Sequence, residues 1–282
     1  MSELPLTIQR SIRRYEPIQT DGLILYPVLV KEYELFLMAR PALEVMQQCL
    51  PVALMRVPLL SALYQMDYEA ALERKAPTGL FSMTLLMLAL SLRLGEGEEP
   101  AERLGRFRVI VDRQKPEKLL RILFTDESGE EKEITPVRYQ TLRQIIAAQN
   151  GVTLESDLAN PDIVKAKKNL SGANAVPLNA TVDDMIAGVS ALSGVEEAEI
   201  EEWPILKLDT RMTAYRRLID YIICGIGEVN GTTWKGGNPT PHPFFARADN
   251  GAGLFSVIGE NNNGKAEAPA AAKELLIRSQ NL

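Results

Sequence analysis

Apolar residues recur at helical spacing through residues 31–93, and this block is predicted to be α-helical. Its predicted helices cover residues 32–40, 41–49, 59–72 and 80–93. Pro41 separates the first two, because proline is expected to end one helix and to start the next. The helix at 80–93 is apolar on nearly all sides, so we expect it to be central in a buried core.

After this block the apolar period changes from helical spacing to two, which is typical of half-buried strands. Residues 107–112 alternate, and residues 119–124 are the predicted antiparallel partner. Residues 126–132 predict a turn, and residues 133–135 supply a third short strand. Earlier in the chain, Gly22 predicts a turn that leads into another short strand.

The clearest helix boundaries in the sequence flank residues 135–151. Thr135 can cap this helix with its hydroxyl, and Asn150-Gly151 supplies a left-handed stop. The same reasoning predicts a helix that starts at Asn160-Pro161-Asp162 and another that runs from Thr181 to Gly194. These helices are therefore predicted from their capping residues.

A further helix is predicted over residues 209–227 from one apolar stripe with members three and four apart. The stripe consists of Met212, Tyr215, Ile219, Ile222 and Ile226. The opposite face carries the charged residues Arg211, Arg216, Arg217 and Asp220. Gly225 is predicted to end the helix.

Together these elements predict a mainly α fold with a small antiparallel β meander, in the α+β class. Residues 1–20 are expected to be an N-terminal arm, and residues 21–228 a predominantly helical domain with the β insertion near 107–134. Residues 229–282 form an irregular Gly/Pro-rich C-terminal tail, which is either disordered or becomes ordered on binding a partner.

Composition narrows the function classes. The net charge of -6 argues against a general nucleic-acid binder, which usually presents a basic face. The apolar run at 79–94 is shorter than the roughly 20 residues of a membrane span, so we expect no membrane anchor. Cys49 and Cys224 lie far apart, which fits a reducing compartment and gives no disulfide framework. No export signal is recognised at the N-terminus.

Sequence patterns that could indicate catalysis or cofactor binding lack the neighbouring residues or secondary structure that such sites require. Glycines 225, 227 and 231 follow a predicted helix, whereas a dinucleotide motif must follow a strand and open a helix. A phosphate-binding P-loop has Ser or Thr directly after its Gly-Lys pair, and Gly264-Lys265 is followed by neither. His242, the only histidine, lies between two prolines, a poor position for a general base. We therefore predict no catalytic, cofactor-binding or metal-binding residues and no cofactor.

Acidic residues have structural explanations at each place where they cluster. Carboxylates near predicted helix starts favour the positive end of the helix dipole: Glu155, Asp157, Asp162, Asp183 and Asp184. The acidic run at 196–202 reads as a solvated face. An enzyme or anti-defence effector with an unrecognised carboxylate site stays open as an alternative.

Aromatic residues interleaved with prolines and glycines are the candidates for partner binding, because rings bury much area with few rotatable bonds. The predicted partner-binding residues are Trp203, Trp234, Lys235, Phe244 and Phe245. The alternative is that these rings cover the protein's own helices.

Several stretches resemble phage and prophage tail-region proteins of Gram-positive bacteria. Residues 21–67 and the TGLF segment at 78–81 resemble the opening of these proteins. Residues 147–170, 203–208, 220–228 and 231–245 are similar to their later parts. Members of this group are identified as tail assembly chaperones.

The resemblance implies a non-catalytic protein that keeps the hydrophobic, helical tape measure protein soluble until tail-tube subunits polymerise around it. It implies the bacterial host cytoplasm as location, and the helices of 31–93 with the aromatic tail as contact elements. The expected partner is the tape measure or another tail protein, with a homo-oligomer left open, and neither nucleic acid nor membrane. The alternative is a structural virion component, such as a connector or tail-completion protein.

Overall fold

The computed structural model describes residues 4–126, 128–155, 162–163 and 181–233, and it confirms a mainly α fold with small antiparallel sheets. The helices are α1 (Leu6–Arg13), α2 (Tyr33–Glu44), α3 (Leu59–Leu72), α4 (Leu80–Ser91), α5 (Pro100–Gly105), α6 (Pro136–Gln149), α7 (Val182–Ser193), α8 (Glu197–Glu201) and α9 (Ile205–Val229). The strands are β1 (Ile18–Thr20), β2 (Leu23–Leu25), β3 (Arg108–Val111), β4 (Leu119–Thr125) and β5 (Glu131–Ile134). Short 3-10 turns cover Val30–Glu32, Gln47–Cys49 and Val52–Leu54. The chain divides into two compact units, Met1–Asp209 and Thr210–Leu282.

Helix α4 lies at the centre of the first unit, as its all-round apolar sequence predicts. It packs against α2, α3 and α5, and Leu88 and Ala89 are fully buried. Even its polar Thr84 and Ser91 have no exposed surface. Within the described residues, no helix has the length and apolar character needed to cross a membrane.

The predicted β meander is present as a sheet with strand order β3-β4-β5. All its pairs are antiparallel, with Ile122 of β4 opposite Val109 on one side and Ile134 on the other. Ile122 and Ile134 are fully buried, so one face of the sheet joins the core. The rings of Phe107 and Phe124 meet edge to face, with their centroids 5.9 Å apart.

A two-residue turn at Asp21-Gly22 joins β1 to β2. Both residues have positive φ, 47° and 73°, which the tight hairpin turn requires and glycine adopts without strain. The turn predicted at Gly22 is therefore confirmed. The segment expected to be an arm, residues 1–20, contains α1 and β1, and Ile18 is only 3% exposed.

The prediction that Pro41 separates two helices is wrong. Helix α2 runs through Pro41 to Glu44, and only a 3-10 turn covers Gln47–Cys49. A proline inside a helix removes one backbone hydrogen bond. Here the turn around it is held by packing, since Ala39, Ala42 and Leu43 have no exposed surface.

Helix boundaries predicted from capping residues are confirmed. The Thr135 hydroxyl accepts a hydrogen bond from the Arg138 amide at 3.4 Å, and Gly151 adopts a φ of 70° after the end of α6. Thr181 and Asp184 form a reciprocal capping box at the start of α7, which ends at Gly194. Asp162 and Ile163 are helical, while residues 160 and 161 lie outside the described residues.

Helix α9 does not end at Gly225, so that prediction is wrong. The helix continues to Val229, and a glycine inside a helix costs only about 1 kcal/mol relative to alanine. The stop lies at Gly231, whose φ is 82°. There the Thr232 amide donates to the Gly227 carbonyl at 2.9 Å, closing the helix end. The predicted irregular tail lies outside the described residues from residue 234 onward.

Polar side chains of α6 bind backbone groups of distant segments within the core. The Arg143 guanidinium donates to the carbonyls of Leu43 and Val45, at 2.8 and 2.6 Å. The Asn150 side chain accepts from the Val28 amide at 2.9 Å, and Gln149 donates to the Leu25 carbonyl at 3.1 Å. These bonds reach backbone groups at the ends of α2 and β2 and in the segments that follow them, where buried groups need partners beyond the regular pairing.

Replacing Arg143 by alanine tests this arrangement. Arg143→Ala should lower the free energy of unfolding by about 3 kcal/mol, because two buried carbonyls lose a charged donor. Urea unfolding followed by circular dichroism measures the change. The control Arg121→Ala removes an exposed arginine paired with Glu133 and should cost less than about 1 kcal/mol. Equal losses in both variants would contradict the proposed importance of α6.

Candidate functional site

The second unit presents an apolar surface on α9 that we call the α9 stripe. It consists of Met212, Tyr215, Ile219, Ile222, Ile226 and Val229. The intervals alternate between three and four residues, which is the a/d repeat of helices that pair side by side. The stripe therefore extends the sequence prediction by one member, Val229, because the helix continues past Gly225.

Exposure rises along the α9 stripe toward the end of the helix. Met212 and Tyr215 are half-buried, whereas the later members are exposed: Ile219 43%, Ile222 49%, Ile226 57% and Val229 89%. Leu218 and Ile223 widen the apolar surface at its middle, with 42% and 58% exposed. Scattered exposed apolar residues are normal, but a contiguous group of this kind marks an interaction surface.

Charge is distributed unevenly along the same helix. The prediction that all of its charges lie opposite the stripe is wrong for Arg211 and Arg216, which flank its first members, while Arg217 lies on the back of the helix. Residues 218–233 contain no lysine or arginine, and their charged members are Asp220 and Glu228. The carbonyl end of the helix adds negative potential at Val229. The first half of the stripe is therefore basic and the second half acidic.

A charged cleft in the first unit is the second candidate site. Its volume is about 390 Å³, and its walls carry Lys31, Glu32, Leu35, Glu96, Gly97, Glu98 and Arg103. Arg103 of α5 donates to the Glu32 carboxylate at 2.6 Å, and the two side chains are only 2% and 10% exposed. The Arg103 Nε donates to the Glu98 carbonyl at 3.1 Å. Among the described residues, its Nη1 has no hydrogen-bond partner.

Lys31 connects two carboxylates at the edge of this cleft. Its Nζ lies 2.6 Å from Glu96 and 2.8 Å from Glu202. The hydrogen bonds to Glu202 and Glu96 raise the pKa of Lys31, and the bond from Lys31 lowers the pKa of Glu96. Arg106 pairs with Glu98 beside it. The cleft is thus held by ion pairs that join loop 95–99, α5, Glu202 just after α8 and the turn before α2.

The predicted partner-binding residues are described only in part. Trp203 is 7% exposed, its carbonyl accepts from the Val30 amide at 2.8 Å, and the Lys207 ammonium lies 3.7 Å from the ring centroid. This burial is what the covering alternative expects, and a partner-binding role for Trp203 stays a prediction. The other predicted residues, Trp234, Lys235, Phe244 and Phe245, lie outside the described residues, as does His242.

Two groups of acidic residues that could have formed a carboxylate site instead have structural positions in a helix cap and in a short helix. Asp184 completes the cap of α7, and hydrogen bonds from Thr181 lower its pKa. Glu197–Glu201 form the short helix α8. In the part of the chain that the structure describes, no group of three or more His, Cys, Asp or Glu residues is arranged to hold a metal ion.

No pattern in the sequence predicts the Glu32–Arg103 pair. The partners are 71 residues apart and lie in elements with no shared motif. Only the burial of an arginine on a six-residue helix reveals the pair, and burial is a tertiary property. The α9 stripe, in contrast, follows from local spacing alone.

Comparison with known proteins adds no relative. No family model matches the chain, and no curated protein or solved structure matches it either.

A double-mutant cycle tests the buried pair. Arg103→Met and Glu32→Leu should each cost about 3–5 kcal/mol, because each leaves the other charge buried without its partner. The double variant should cost clearly less than the two losses together, by at least about 1 kcal/mol in urea unfolding. The exposed pair of Arg108 with Glu131 is the control, where Arg108→Met and Glu131→Leu should show coupling below about 1 kcal/mol. Additive losses at the buried pair would mean that the pair is not coupled.

Proposed function

We propose that this chain is a non-catalytic binding protein of phage tail assembly, a chaperone that holds the tape measure protein in a soluble state. The α9 stripe carries the proposal. It is an exposed apolar surface on a helix, with the a/d spacing that accepts a second helix along its length. A tape measure protein is long, helical and apolar, so its helices offer the complementary surface.

Binding of this kind is governed by burial of apolar area. Ile219, Ile222 and Ile226 are large, and about half of each side chain is open to contact with a client helix. Burying an isoleucine side chain contributes about 1.5–3 kcal/mol when it is complete. Several such contacts offset the loss of translational and rotational freedom on association, which costs at least about 4 kcal/mol.

The charged cleft supports the proposed function only indirectly, by stabilising the first unit. Its ion pairs tie the loop at 95–99 to α5 and to the turn before α2. The first unit is thereby held in one arrangement around α4, and we assign the cleft this structural role. The resemblance to tail-region proteins supplies the identity of the proposed client; it covers residues 21–67, 78–81, 147–170, 203–208, 220–228 and 231–245.

Co-expression with the tape measure protein of the same phage tests the proposal. Wild-type chain should move the tape measure protein from the pellet into the soluble fraction and should be recovered with it in a pull-down. Ile222→Glu should abolish both effects, because it places a charge in the middle of the α9 stripe. Val137→Glu, which changes an apolar residue 75% exposed on α6, is the matched control and should behave as wild type. No association of the wild-type chain with the tape measure protein would rule out the chaperone.

Purified virions separate the chaperone from the alternative of a structural tail component. A chaperone is released during assembly, so mass spectrometry of mature particles should find tail-tube and tape measure peptides but none from this chain. Recovery of the chain at a fixed ratio to a known tail subunit would favour the connector or tail-completion role instead.

A further inference from the structure

We infer that, without a client, two copies of this chain pair through their α9 stripes in an antiparallel arrangement. The spacing of the stripe supports the geometry. With the alternating intervals, an antiparallel pair centred between Asp220 and Tyr221 brings every member of the stripe opposite a member of the other copy. The layers are then Met212 with Val229, Tyr215 with Ile226, and Ile219 with Ile222.

The contacts repeat about a two-fold axis. Each contact from the first copy to the second occurs again, between the same two residues, from the second copy to the first. A surface that is complementary to itself in this way closes at two copies and does not form a chain of molecules. Leu218 and Ile223, exposed on the two sides of the stripe, widen the seam at the middle of the pair, where the axis lies.

Charge decides the orientation. In a parallel pair, Arg211 of one copy would lie beside Arg216 of the other, because these positions flank the seam as g and e, and like charges there repel. In the antiparallel pair the arginines lie near the opposite end of the partner helix. That end carries helix carbonyls with negative potential and has no lysine or arginine from residue 218 to residue 233. Antiparallel pairing therefore replaces repulsion with attraction.

This pairing would cover the same surface that the proposed client uses, so a client and a second copy would compete for it. The inference itself does not rest on the proposed function, since it concerns the chain alone. The two can fail separately: one is measured without a client, and the other by the solubility and recovery of the tape measure protein.

Light scattering coupled to size-exclusion chromatography and sedimentation equilibrium measure the mass of the full chain. We expect the mass of a dimer at micromolar concentrations, and at least about a tenfold increase in the dimer dissociation constant for Ile222→Glu. Val137→Glu should remain a dimer, and circular dichroism checks that both variants are folded. A wild-type chain that is still monomeric at 100-fold higher concentration would overturn the inference. That result is expected if the chain's own tail covers the stripe, or if the stripe binds only helices of other proteins. An Ile222→Glu variant whose dimer dissociation constant equals that of the wild type would also overturn the inference.

Charge exchange tests the register without relying on loss of function. Ile219→Lys and Ile222→Glu should each dimerise more weakly alone than the wild type, since like charges then face the seam. Mixed together they should form a heterodimer, because Lys at 219 of one copy lies opposite Glu at 222 of the other. Failure of the mixture to associate, while wild type is a dimer, would overturn the antiparallel register.

Disulfide trapping tests the orientation in a chain whose two cysteines are replaced by Cys49→Ser and Cys224→Ala. A Met212→Cys chain mixed with a Val229→Cys chain should form a mixed disulfide on oxidation. Met212→Cys alone should form none, because its two copies lie at opposite ends of the pair. Thr213→Cys, one residue off the stripe, is the control for non-specific oxidation. A disulfide between two copies of Met212→Cys, without the mixed product, would show a parallel pair and overturn the inference.

Discussion

The first unit depends on hydrogen bonds from α6 and its C-cap Asn150 to backbone groups at the ends of α2 and β2 and in the segments that follow them. Arg143, Gln149 and Asn150 reach segments 98 to 124 residues earlier in the chain. Buried backbone groups must find partners, and the ends of helices and strands and the segments that follow them cannot supply all of these locally. The β1–β2 hairpin, the segment at Val28 and the end of α2 are therefore held in the core by their bonds to α6 and Asn150.

This constraint also explains where the apolar core can extend. Val28 and Leu43 are at most 1% exposed, yet each lies in or beside a segment whose backbone needs an external partner. Fixing these segments to α6 places α2 along α4, whose sequence is apolar on nearly all sides. Apolar burial then supplies the stabilisation, while the polar bonds of α6 determine which arrangement of the segments is compatible with burial.

Capping residues in the sequence predict helix ends where neighbouring residues alone determine the end. Thr135, Thr181 and Gly194 identify helix ends correctly because a cap is made within four residues of itself. Pro41 and Gly225 led to wrong predictions because their preferences are only local. Packing around α2 overrides the preference of Pro41, and the helix passes Gly225 to a stronger stop at Gly231. The Glu32–Arg103 pair and the Arg143 bonds could not be predicted, because they join residues whose proximity exists only after folding. Of the candidate sites, the α9 stripe was therefore predictable and the charged cleft was not.

Helix α9 can keep its stripe open because its first turn is stabilised independently of the stripe. Nucleation is the costly step of helix formation, and each further residue adds one hydrogen bond. Ile205 and Leu208 in the first turn are 6% and 2% exposed, and the Ile205 amide donates to the Val28 carbonyl at 3.0 Å. The far end is closed by its own backbone bonds at Gly231 and Thr232. With both ends fixed, the apolar residues between them do not have to be buried for the helix to persist, so they remain available for a second helix.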